Sequence, residues 1–140
     1  MTTETPQNFI NALPFAQALG MTLDQIGEGR AQISMDWDQR FVGDPATGVI
    51  HGGAVSALMD TCGGAAVLST PGTRSTATID LRIDYMRAAT PGQRITARAE
   101  CYHITRSVAF VRATAHDAET ATPVATASGA FTVDRAEGAG

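Results

Sequence analysis

The stretch GVIHGGAVSALMDTCGGAAVLS, Gly48 to Ser69, decides how the chain is read. His51-Gly52-Gly53 opens it, and small or apolar residues follow until Thr70-Pro71-Gly72 stops the run, so a helix is expected from about Gly52 to Ser69. On a 3.6-residue period Gly53, Ser56, Ala57, Asp60 and Gly64 share one face, opposite the bulkier Val55, Leu58, Met59 and Cys62. The bulky side must be buried. The small side lets a substrate or a second backbone come close.

Between Pro45 and Thr73 the ionisable side chains are His51, Asp60 and Cys62. A carboxylate withdrawn from water costs several kcal/mol unless it is paired or hydrogen-bonded, so Asp60 gives the helix no packing advantage over Ala or Leu. Either it faces water or a neighbouring loop, or it has a chemical task. The glycines at the helix start leave backbone N–H groups free at the positive end of the helix dipole, where a developing oxyanion can be held. A lone HGG is a common helix opening, and His51 reads equally as a capping or core histidine. Joined to Asp60, the pattern becomes specific.

Outward from the helix the periodicity changes. Phe9 to Leu19 has helical spacing and ends at Gly20, with Pro14 expected to split it into two short turns. Met21 to Trp37 alternates, setting Ala31, Ile33, Met35 and Trp37 on one strand face, with a hairpin turn at Gly27 to Gly29. Phe41 to Ile50 is a loop rich in turn residues. After Thr73 come four strand-like runs: Thr76 to Arg87, Arg94 to Ile104, Val108 to Asp117 and Thr122 to Val133. This order lacks βαβ alternation and predicts an α+β fold, an antiparallel sheet curled around the central helix. One domain over 1–140 is expected, with 1–20 an N-terminal helical segment and 134–140 a flexible tail.

With 44% hydrophobic residues the chain can bury a continuous core, and its net charge of −4 offers no general attraction for nucleic acid. No run approaches the roughly 20 apolar residues of a membrane helix, and Met1 to Gln7 lacks a signal-peptide pattern, so a soluble cytoplasmic protein is expected. Cys62 and Cys101 lie far apart with no metal-ligand spacing, and both are read as small reduced core residues rather than a disulfide or zinc pair.

The run from Gly48 to Ala65 resembles the PaaI-like thioesterases of the hotdog superfamily, whose motif is G-x-x-H-G-G followed by a helix carrying L-x-D. Thr78 to Ala88 is similar to the family's long strand, and Thr105 to Val111 to its next-to-last hairpin. The resemblance implies a hotdog fold and hydrolysis of an acyl-coenzyme A. It implies Asp60 as general base or nucleophile, the Gly52 N–H as the donor polarising the thioester carbonyl, His51 orienting the loop, and Thr78 assisting the attacking water. It further implies substrate contacts at Gly53, Asp44, Arg87, Arg106 and Ser107, the two arginines near the coenzyme A phosphates. Asp44-Pro45 stands where many relatives carry Asn.

A thioester carbonyl is electrophilic enough to need only an oxyanion site and a carboxylate, so no metal or cofactor is expected. Two rivals use the same fold. A hotdog hydratase or dehydratase pairs a His with an acid in motifs that His51 and Asp60 do not match, and a noncatalytic acyl-thioester-binding module needs no carboxylate on the helix. Gly52 and Asp60 stand eight residues apart, about 12 Å along a helix, too far to meet on one carbonyl within a chain. A homodimer, or a dimer of dimers as in the family, with active sites shared between antiparallel helices, is therefore expected.

Overall fold

The computed structural model describes Ile10 and residues 12–136. Helix α1 is Pro14–Ala18. Ile10 is helical and the chain leaves the helix at residues 12–13 before Pro14 opens α1, the split expected at this proline, whose missing N–H costs nothing at the first position. Phe9 and Asn11 lie outside the described residues. Strands β1 (Met21–Gly27) and β2 (Arg30–Met35) form the expected hairpin. Short β3 (Val42–Asp44) and β4 (Val49–Ile50) pair within the turn-rich segment and deliver the chain to α2 (Gly52–Leu68). Then come β5 (Thr73–Ser75), β6 (Thr78–Tyr85), β7 (Ile95–Ile104), β8 (Val108–His116), β9 (Ala125–Thr132) and β10 (Asp134–Arg135).

Six strands make one antiparallel sheet in the order β1-β2-β7-β8-β9-β6, and α2 lies across one face of it, chiefly over β7, β2 and β8. Alternation puts Ile33, Met35, Ile95, Ala97, Ala109, Val111 and Ala115 inward, where Val55, Leu58, Met59, Cys62 and Val67 of α2 meet them. The alanines on β7 and β8 leave room for the helix. A Cβ on Gly63 would stand 2.8 Å from the Phe131 ring, so only glycine allows this approach. The sheet wrapped on a central helix is the hotdog arrangement.

Both cysteines are free. Cys62 is fully buried, and desolvation pushes its thiol up to about 12. Cys101 is only half-buried, short of the core position expected for it.

The C-terminal segment departs from the expected tail beginning at Asp134. Asp134 and Arg135 pair with β5, Arg135 donates to the Pro71 carbonyl at 3.0 Å, and the Ala136 N–H donates to Gly72 at 2.7 Å. Residues 137–140 lie outside the described residues. Two-residue strands carry too little periodicity to be read in advance.

The end of β6 is fastened by an ion pair. Arg87 donates to both oxygens of Asp117, at 2.8 and 2.7 Å, and to the carbonyls of Thr122 and Glu119. Asp117 also accepts the N–H groups of Thr90 and Glu119, and its side chain is fully enclosed. The Arg87 guanidinium, helped by these N–H donors, holds the Asp117 carboxyl well below the usual carboxylate range. Because the folded value is lowered, the stabilisation is complete above the unfolded value near pH 4 and is lost as pH falls toward the folded one. Asp117→Ala is expected to lower the melting temperature by about 10 °C at neutral pH, with the deficit shrinking in strong acid. Thermal scans of both proteins across pH check this.

Candidate active site

The approach to α2 is built from the turn below it. Asp44 accepts the Ala46 N–H at 3.0 Å and the Thr47 hydroxyl at 2.9 Å, and its carbonyl accepts from Gly48 at 2.8 Å. Its side chain therefore shapes the loop. A Cβ on Gly43 would stand 2.8 Å from the His51 Cα, so the loop packs directly under the helix start. The His51 N–H donates to the Phe41 carbonyl at 2.8 Å.

His51 is the N-cap of α2, its Nδ1 accepting the Gly53 N–H at 2.8 Å. That bond fixes Nδ1 as an acceptor and satisfies Gly53. Gly52, the first helical residue, has no intrahelical acceptor for its own N–H. The expected oxyanion donor is thus the one left free.

One helix face carries the rest. Gly53, Ser56, Ala57, Asp60 and Gly64 are at least partly exposed, whereas Val55, Leu58, Met59 and Cys62 are buried. Asp60 lies on the small-residue side, as the helical period places it. Thr78, at the start of β6, donates its hydroxyl to Asp60 Oδ1 at 2.6 Å. A bulge between Thr78 and Asp80 accompanies this, with Thr78 opposite the inward-facing Phe131. One carboxylate oxygen is held and the other left available.

At the far end of β6, the Tyr85 and Ser56 hydroxyls lie 2.8 and 3.0 Å from the Gly52 carbonyl oxygen and in contact with each other; with one proton apiece they make two of these three bonds at a time, Ser56 donating to Tyr85 while Tyr85 donates to the carbonyl. Neither residue was singled out from sequence. The available signals were the i, i+4 spacing of Gly52 and Ser56 and the inward phase of Tyr85 after Leu81 and Ile83. A cavity of about 270 Å³ opens beside them, lined by Val49, Ile50, Gly52, Val55, Tyr85 and Met86 among others. A larger groove of about 930 Å³ runs over the opposite sheet face past Arg30, Arg98 and Arg112. It includes neither Gly52 nor Asp60, and its size alone does not make it the reactive site.

The two arginines part company. Arg87 lines the smaller cavity, but its guanidinium is committed to Asp117. Arg106 is exposed in the β7–β8 turn beside Ser107, whose carbonyl accepts the Val133 N–H, and has no ion pair among the described residues. Asp60 with Thr78 and Gly52 with His51, Ser56 and Tyr85 thus form two half-sites at opposite ends of β6.

A sequence profile of the thioesterase superfamily matches residues 47–124, which include both half-sites. The medium/long-chain acyl-CoA thioesterase YigI of Escherichia coli strain K12 is 30% identical over 125 residues, covering 79% of this chain and 80% of the relative. A Pseudomonas aeruginosa protein of solved structure is 37% identical with a TM-score of 0.80, over 91% of this chain and 95% of that one. The Escherichia coli PaaI protein from the phenylacetic acid degradation operon has a TM-score of 0.82 at 20% identity, over 94% and 92%, a likeness of fold.

Proposed function

This chain belongs to the thioesterase superfamily and is a thioester hydrolase, and from that premise we propose that it cleaves an acyl-coenzyme A with Asp60 as general base or nucleophile. The observation that carries the proposal is the Thr78 hydroxyl holding one oxygen of a carboxylate on the small-residue face of α2. The thioester oxygen accepts from the Gly52 N–H at the positive helix end, which stabilises the charge that develops there. Asp60 either takes a proton from a water whose oxygen bonds the carbonyl carbon, or bonds that carbon itself to give a mixed anhydride that a water then cleaves; in both, the C–S bond breaks and the thiolate leaves to be protonated as free coenzyme A. The acid is the other product. Every step is within reach of these side chains and water.

Neither rival has this support. A binding module gains nothing from a threonine-held carboxylate, and among the described residues no hydrogen bond joins His51 to Asp60 as a hydratase pair.

The half-sites lie at opposite ends of β6, and β6 is a sheet edge exposing Ile79 (57%), Tyr85 (50%) and Met86 (51%). An edge strand with exposed apolar side chains invites pairing. In an antiparallel β6 pair about a two-fold axis, facing residues share a face of the sheet. Centred on Leu81, the register sets Asp80 against the partner's Arg82 and Ile79 against the partner's Ile83. Centred on Arg82, it sets Arg82 against the partner's Arg82 and Asp80 against the partner's Asp84, both repulsive. Centring on Ile83 pairs unlike charges too, but draws Thr78 away from the partner's Tyr85. The Leu81 register puts them one residue apart, about 3.3 Å along the strand. Asp60 then faces the partner's Gly52. The dimer, alone or as half of a tetramer, is part of the proposal, as is a cytoplasmic location; no described helix is long and apolar enough to cross a membrane.

The test is thiol release from a panel of short-, medium- and long-chain and aromatic acyl-CoAs. The apolar cavity wall and the YigI relative support turnover of medium or long chains, and no release from any member would refute the reading. In the same assay Arg106→Ala is expected to raise KM about threefold at constant salt, because the phosphates of coenzyme A lose a screened surface cation.

A further inference from the structure

We propose that Tyr85 is a positioning residue of the oxyanion site, clamping the Gly52–Gly53 peptide so that the Gly52 N–H is held toward the thioester carbonyl. The inference rests on the acyl-CoA reading and deepens it. Two adjacent glycines give a helix start with no side chains to define it, and such a backbone is the most conformationally free the chain can have. An oxyanion donor works in the opposite way, by being fixed before charge develops.

The structure supplies the missing restraint from both ends of one peptide. Its carbonyl oxygen, on Gly52, accepts from Tyr85 at 2.8 Å, with the Ser56 hydroxyl 3.0 Å away. Its N–H, on Gly53, donates to His51 Nδ1 at 2.8 Å. With that plane pinned at both ends, the preceding N–H of Gly52 is the group left without an internal partner. The Tyr85 ring also limits movement sideways, since a Cβ on Gly52 would stand 3.4 Å from its Cζ. The Ser56 hydroxyl donates to the Tyr85 oxygen, which leaves the Tyr85 proton directed at the Gly52 carbonyl. A chain of this kind runs from Tyr85 O–H through the peptide to His51, and each bond polarises the next.

Tyr85 is half-exposed at the sheet edge, so its hydroxyl adds little to the packed core. Tyr85→Phe keeps the ring over Gly52 and removes only the donor. The expected result is a fall in kcat of about tenfold with KM changed by less than about twofold and an unchanged melting temperature. Ser56→Ala, which removes the second hydroxyl, should lower kcat in the same sense but less. A spectroscopic readout separates positioning from general loosening. In an Asp60→Ala background, which holds substrate without turning it over, the carbonyl stretch of bound ¹³C-labelled acyl-CoA should be shifted to lower frequency. Adding Tyr85→Phe should return it toward its position in water. Equal kcat for wild type and Tyr85→Phe, or a carbonyl band unmoved by the second substitution, overturns the inference while leaving the acyl-CoA reading intact. A wild-type protein that releases no thiol overturns both.

Discussion

Asp60→Ala is expected to lower kcat for thioester hydrolysis by roughly a hundred- to ten-thousandfold, with the melting temperature within about 2 °C of wild type. The two halves of this result have separate causes. Asp60 lies on the partly exposed small-residue face of α2, beside the sheet edge at Thr78, so removing the carboxylate opens no cavity under Val55, Leu58 or Met59. What is lost is the group that activates water or attacks the carbonyl, together with the acceptor for the Thr78 hydroxyl. Asp60→Asn sharpens the test, because an amide oxygen still accepts from Thr78 but carries no charge and no basic lone pair of comparable strength. Both variants should be inactive. An active Asn variant would reduce Asp60 to a hydrogen-bonding anchor for β6, and an unfolded Ala variant would make it structural. Thiol-release assays beside thermal scans distinguish these outcomes.

The same residue shows how far sequence alone carries. The helix was legible because its small and bulky residues separate cleanly at a 3.6-residue period, and the strands because alternation persists over eight to ten residues in β6, β7 and β8. Asp60 stood out as a carboxylate in an apolar run. The 3.6-residue period already set it on the small face; what the run could not tell was that Thr78, on a strand beyond the helix, donates to it. The ion pair that occupies Arg87 was not readable either. The partner Asp117 is thirty residues away, just past the end of β8, and comes beside Arg87 because β9 pairs with both β6 and β8. For Tyr85 and Ser56 the sequence offers only their spacing and strand phase, because their acceptor is a backbone carbonyl and main-chain acceptors leave no mark in a sequence. Asp44 has the turn chemistry its composition announced, and that chemistry occupies its side chain.

Mixing Asp60→Ala with Gly52→Val, each inactive alone, should restore about a quarter of wild-type activity once subunits exchange at random. In the Val variant the added side chain meets the Tyr85 ring, because even a Cβ would lie 3.4 Å from it, so the donor peptide is displaced. In the Ala variant the donor is intact and the carboxylate is missing. The eight-residue spacing puts the two groups about 12 Å apart along one helix, so neither variant can repair the other within a chain. A dimer centred on Leu81 of β6 brings Asp60 of one subunit to the partner's Gly52, and the two-fold axis makes this happen twice. In a mixed dimer one site joins the intact Gly52 of the Ala variant to the intact Asp60 of the Val variant, while the other site carries both defects. Half of randomly formed dimers are mixed and half of their sites work, which gives the quarter. Tagged heterodimers purified to homogeneity should reach about half of wild-type activity. The charge pairing that sets the register offers its own control: Asp80→Arg places like charges opposite the partner's Arg82 and should weaken the dimer, and the double change Asp80→Arg with Arg82→Asp should restore it. Heterodimers verified by mass that recover nothing would mean that Gly52 and Asp60 do not act on the same thioester, and the shared site would have to be abandoned.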